Sequence, residues 1–160
     1  MIIRAATLND YEQVWEIFSA VIKKGDTYTF DPDTPKNELA TYWFASHMKT
    51  FVLEDNGEIL GTYVLKPNQP GLGSHIANCG YMVHPAAQGK GIGKLLCRHS
   101  IETARQLGYK AMQFNIVIST NTVAVALWQK FGFSIIGTIP NGFKHLKLGF
   151  VDAYIMYKEL

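Results

Sequence analysis

Between residues 11 and 22 the apolar side chains fall at Tyr11, Val14, Trp15, Phe18, Val21 and Ile22, the three-and-four spacing that lines one face of a helix. Thr7 or Asn9 caps that helix after a short strand over residues 2–7, and Lys23-Lys24-Gly25 stops it. Residues 27–35 mix aromatics with Asp and Pro, an unusually apolar loop. A second helix is expected from Thr34-Pro35 through Leu39, Tyr42 and Trp43 to His47 or Met48. Strands over residues 50–54 and 59–66 flank Asp55-Asn56-Gly57, a hairpin turn because Asn-Gly accepts positive φ. After a Pro- and Gly-rich loop over 67–74, a third strand runs over 75–84 and ends at Pro85. A Gly-rich turn follows, then a helix to Gly108, a strand over 111–118, a helix over about 122–131 and two C-terminal strands. Alternating strand and helix beside an antiparallel hairpin predicts a mixed α/β class, one central sheet with helices on its faces.

The 160 residues match one domain, 1–160. Fifteen basic against thirteen acidic residues leave a net charge of +2, too small a basic excess to imply nucleic acid. Two cysteines, Cys79 and Cys97, form neither a disulfide framework nor a zinc quartet, which fits a reducing cytoplasm. His47, His75, His84, His99 and His145 lack metal-ligand spacing, so no metal is expected. The longest apolar run, residues 123–128, is too short to cross a bilayer, and no signal stretch follows Met1-Ile2-Ile3-Arg4; no membrane partner is expected.

Pro85-Ala86-Ala87-Gln88-Gly89-Lys90-Gly91-Ile92-Gly93-Lys94 lies between a strand and a helix. Glycines there turn successive N–H groups outward, and the helix start adds unpaired N–H groups and a positive dipole end, so an anion such as a pyrophosphate is the natural ligand. The turn is not a nucleoside-triphosphate loop: the spacing from Gly89 to Gly93 is one residue short, and Leu95 stands where a magnesium-binding hydroxyl is needed. A dinucleotide fingerprint would need glycine at 94, where the chain has Lys94.

Gln88-x-x-Gly91-x-Gly93 after Val83-His84-Pro85 resembles the acetyl-CoA motif of the Gcn5-related N-acetyltransferase (GNAT) family. Asn121 followed by Leu127-Trp128-Gln129-Lys130-Phe131-Gly132-Phe133 resembles a second element of that family, and Ile3-Arg4-Ala5-Ala6-Thr7 its first strand. The resemblance implies a mixed, mostly antiparallel sheet splayed at the cofactor site. It also implies acetyl-CoA, held by Met82, Val83, Gln88, Gly89, Lys90, Gly91, Ile92, Gly93, Lys94, Asn121 and Lys130. Segments such as Gly25-x-Thr27-Tyr28, Phe114-Asn115-x-Val117 and Thr27-Tyr28-Thr29-Phe30-Asp31 resemble branches that acetylate the proline analogue azetidine-2-carboxylate, and phosphinothricin or methionine sulfoximine. These imply a small amino-acid-like or imino-acid-like amine as acceptor. A peptide N-terminus, a lysine, or acyl-CoA binding for regulation are the alternatives, and a homodimer is a family expectation.

Many relatives carry a Glu on the strand that supplies Met82, but His75-Ile76-Ala77-Asn78-Cys79-Gly80-Tyr81-Met82-Val83-His84 has none. Asn78 and Tyr81, with His84 at its end, are the polar candidates on that strand, and the resemblance to the azetidine-2-carboxylate branch implies Asn78 and Asn115 as amides that orient the amine, so Asn78, Asn115 and Tyr81 are the catalytic candidates. Both asparagines lie within apolar strands, where an amide is expected to be buried and bonded. Trp128 stands where relatives usually have a tyrosine acid. Tyr28, Phe30, Tyr42 and Trp43 read one by one as core or dimer contacts, with some of them lining the acceptor pocket, and Tyr28, Phe30 and Trp43 are the candidates for that role.

Overall fold

The computed structural model describes residues 1–160. Seven strands form one sheet in the order β1-β2-β3-β4-β5-β7-β6. These are β1 (Ile2–Ala5), β2 (Lys49–Asp55), β3 (Glu58–Pro67), β4 (Ile76–Val83), β5 (Ala111–Ile118), β6 (Ser134–His145) and β7 (Gly149–Glu159). Every neighbouring pair is antiparallel except β4 and β5, which run parallel and are joined through helix α3 (Ile92–Gln106). The expected mixed class with a mostly antiparallel sheet is the observed one.

Two apolar layers sandwich the sheet. On one face α1 (Tyr11–Ile22) and α2 (Leu39–Trp43) bury Val14, Phe18, Leu39 and Trp43 against Val52, Val64 and Met82. On the other, α3 and α4 (Thr122–Lys130) bury Leu96, Ile101 and Trp128 against Tyr63, Cys79 and Phe114. Along β4 the side chains alternate between the two layers, as a strand's period of two requires: Ala77 and Cys79 pack toward α3, Met82 toward α1.

The hairpin turn forms as expected, with Asn56 at φ 53° and Gly57 at φ 85°. The first helix is entered through Thr7, whose backbone N–H donates to the Asp10 carboxylate at 2.7 Å. The second helix is a correction: it spans only Leu39–Trp43, after one 3-10 turn, and does not reach His47 or Met48. Its last carbonyl, that of Trp43, accepts the Thr50 hydroxyl, and Phe44 leaves helical geometry at φ −126°.

Candidate active site

The parallel pairing of β4 and β5 covers only three rungs, the last being Asn78 opposite Gln113. Beyond it the strands part. His84 N–H bonds to Leu60 and Asn68 N–H to Ile76, so even-numbered residues of β4 are the ones hydrogen-bonded to β3. The backbone groups of Cys79, Tyr81 and Val83 therefore point into the fork, while the N–H of Met82 belongs to the β3 ladder.

A groove of about 390 Å³ fills this fork. Twenty residues line it, including Asn78, Tyr81, Met82, Val83, Gln88, Asn115, Asn121 and Trp128, and none of the twenty carries a charge. Tyr28 and Phe30 close it from the α1 side, stacked with ring centroids 5.7 Å apart. The Tyr28 hydroxyl donates to the Tyr81 carbonyl at 2.7 Å, so that one fork-facing acceptor is already satisfied. Gly80 leaves the hydroxyl room, since a Cβ there would lie 3.2 Å from the Tyr28 oxygen, a tight contact. Glycine within an apolar strand is the sequence signal for such a close approach.

Side-chain amides sit on both strands of the fork, and one of them, that of Asn78, bonds across it to the backbone of the other strand. Asn78 Nδ2 donates to the Gln113 carbonyl at 3.0 Å, and Gln113 Nε2 donates to Asn115 Oδ1 at 3.0 Å. These bonds set the polarity of each end: Asn78 keeps its Oδ1 as an acceptor, and Asn115 keeps its NH₂ as a donor. Asn115 also corrects an expectation, because it is exposed and not buried. It sits where β5 bulges between Phe114 and Val117 against β7, an irregularity that turns it out of the apolar layer.

The titratable groups on the groove are held neutral by burial. Tyr28, Tyr81 and Cys79 are all pushed well above their ordinary values by desolvation. The Tyr81 hydroxyl is bonded to Ser100 at 2.7 Å, on the α3 side of the sheet. His84 Nδ1 accepts the Ala86 N–H at 3.1 Å and so caps the turn that follows β4. Trp128 packs on Tyr81 and Phe114 at centroid distances of 4.8 and 5.1 Å.

At the end of β4, Gly89 and Gly91 have φ of 79° and 77°, and a Cβ at either would meet no heavy atom within 4 Å. Glycine is thus required there by backbone conformation and not by packing, and the open cradle fits a pyrophosphate at the start of α3. Gln88 reaches from this turn into the groove, whereas Lys90 and Lys94 are exposed and the Ile92 side chain is buried. Asn121 Oδ1 accepts the Ala124 N–H at 3.3 Å, capping α4, and lines the groove as well.

Two expected site residues lie elsewhere. Trp43 is core: its indole N–H donates to Thr62 Oγ1 at 3.0 Å, and its ring packs behind Tyr28 at 6.2 Å. Lys130 lies outside the groove, in a separate cleft with Arg98, Arg105 and Lys158.

The model of the acetyltransferase (GNAT) family matches residues 11–133. N-acetyltransferase aca1 of Schizosaccharomyces pombe is 33% identical over 152 residues, 84% of this chain and 72% of that protein. L-amino acid N-acetyltransferase AaaT of Escherichia coli is 27% identical over 163 residues, 98% of this chain and 96% of that protein. Among solved structures, a GCN5-related N-acetyltransferase from Kribbella flavida superposes with a TM-score of 0.94 at 37% identity, over 99% of this chain and 97% of that one. YncA of Salmonella typhimurium, solved with its cofactor acetyl-CoA, superposes at 0.88 with 25% identity, over 100% and 94%.

Proposed function

This chain belongs to the GNAT acetyltransferase family and uses acetyl-CoA, and from that premise we propose that it acetylates the amine of a small free amino or imino acid. The groups that Asn78 and Asn115 leave free carry the reading. Asn78 Oδ1 offers an acceptor to an amine N–H, and the Asn115 NH₂ offers a donor to a carboxylate, the two ends of an amino acid. The hydroxyls of Thr27 and Thr29, on the same groove, supply further neutral donors. The name of the Escherichia coli relative, an L-amino acid N-acetyltransferase, agrees with this class.

Acetyl-CoA supplies the acetyl thioester. The fork-facing N–H groups of Tyr81 and Val83 are donors for an oxygen that gains negative charge, each worth about 3 kcal/mol when preorganised. Asn78 holds the attacking amine with its lone pair free. No groove side chain accepts a proton near neutrality, so the amine arrives neutral and its second proton leaves through water. A thiol of pKa about 8.5 departs as thiolate without an acid, and Trp128 presents only an N–H donor at that wall.

Release of free thiol from acetyl-CoA tests the assignment across azetidine-2-carboxylate, proline, methionine sulfoximine, a lysine peptide and a polyamine. Turnover with the amino or imino acids supports it. Turnover confined to the peptide or the polyamine refutes it.

A further inference from the structure

The turn between β6 and β7 reaches back to the loop that follows α1. Leu146 N–H donates to the Gly25 carbonyl at 3.0 Å. The Leu146 side chain rests on Gly25 itself, where a Cβ would collide with its Cγ and Cδ1. Glycine is required there both for this contact and for a φ of 59°. The turn that presents Leu146 is pinned by its neighbour: His145 Nδ1 accepts the N–H groups of Lys147 at 3.1 Å and Leu148 at 3.2 Å.

This contact joins the two sides of the fork. Gly25 opens the stretch whose Thr27, Tyr28, Thr29 and Phe30 line the groove, and Tyr28 ties that stretch to β4 through the Tyr81 carbonyl. Leu146 belongs to the hairpin that extends the sheet beyond β5, on the other side. The stretch is therefore held at Tyr28 by β4 and at Gly25 by the hairpin tip. Leu146 itself lines no part of the groove, and it is 58% exposed. An apolar side chain that buries less than half of its surface, on a glycine, makes a contact weak enough to form and break.

We propose that Leu146 is a positioning residue for the acceptor: by resting on Gly25 it holds residues 27–30 over the groove in the arrangement that binds the amine. Apparent affinity for a ligand falls with the fraction of molecules in the competent arrangement. Loosening the contact therefore raises the acceptor KM. It leaves kcat alone, because the reacting groups on β4 and β5 are untouched once the amine is bound. The glycine turn over residues 89–93 shares no residue with the contact, so acetyl-CoA affinity holds. This role rests on the reading of the groove as the site of the acceptor amine.

Steady-state kinetics and acetyl-CoA calorimetry on Leu146→Ala decide the matter, beside the conservative Leu146→Met and a control, Leu8→Ala. Leu8 is an exposed leucine at the entry to α1, the opposite end of that helix from Gly25. Leu146→Ala should raise the acceptor KM about fivefold or more, with kcat and the acetyl-CoA dissociation constant within about twofold of the unmodified protein. Leu146→Met keeps an apolar side chain of similar size and should hold KM within about twofold. Leu8→Ala should match the unmodified protein. An unchanged KM in Leu146→Ala, an equal rise in Leu8→Ala, or a rise accompanied by an equal loss of acetyl-CoA affinity would overturn the proposal. Failure of the acceptor reading shows instead in the unmodified protein, which would then acetylate the lysine peptide or the polyamine alone, and the same KM comparison is made with that amine.

Discussion

Asn78 and Gln113 form the last rung between β4 and β5, and the Asn78 side chain bonds across it to the Gln113 carbonyl at 3.0 Å. One amide thus closes the sheet on one side and faces the fork on the other. Asn78→Ala should lower kcat for acetyl transfer by about tenfold to a hundredfold while leaving the dissociation constant of acetyl-CoA within about twofold. It should also cost about 1 kcal/mol of stability for the lost bond. Steady-state kinetics beside denaturant titration separates the two effects, and a variant with unchanged kcat would reduce Asn78 to a strut.

Gln113 Nε2 donates to Asn115 Oδ1, which leaves the Asn115 NH₂ as the free end of that amide. In Asn115→Asp the donor becomes an anion facing the substrate carboxylate. The KM for a free amino acid should rise about tenfold or more, and that for the corresponding methyl ester far less. A parallel rise for acid and ester would place Asn115 away from the carboxylate.

Gly91 adopts φ 77° with open space around it. Gly91→Val should retain the fold, at a cost of about 1–2 kcal/mol for a left-handed β-branched residue, and should lose acetyl-CoA binding by calorimetry. Normal binding by a folded variant would move the pyrophosphate elsewhere.

The glycine turn, α1 and α4 were legible in the sequence because each rests on local requirements: φ at Gly91, the apolar face of α1, the cap at Asn121. The second helix was overestimated because the Thr50 hydroxyl, seven residues on, takes the Trp43 carbonyl and ends it. The sequence left Trp43 open between core and pocket, and its buried indole N–H, which donates to Thr62 Oγ1, settles it as core. The asparagines were found as amides within apolar strands. That Asn115 is exposed depends on a bulge against β7, a pairing partner some 40 residues away that periodicity does not register. Likewise the cleft draws Arg98, Lys130 and Lys158 from three elements, and no local motif joins them.

Tyr28, Tyr81 and Cys79 are the titratable groups facing the groove, and burial raises all three well clear of neutrality. The proton that limits the reaction is consequently the one on the acceptor amine, whose pKa is about 8 to 10. Below that value kcat/KM should rise about tenfold per pH unit, and it should level off above it. For two acceptors of different basicity the break should move with the amine. A common break between pH 5 and 8 for both would point to a general base on the protein.

The most direct measurement is mass spectrometry of a single reaction in which acetyl-CoA meets an equimolar mixture of free amino acids, imino acids and a lysine peptide. The account predicts acetyl groups on the nitrogen of free amino or imino acids, with the yield falling in Asn78→Ala and Asn115→Asp. Acetylation of the peptide with the free acids untouched would contradict it.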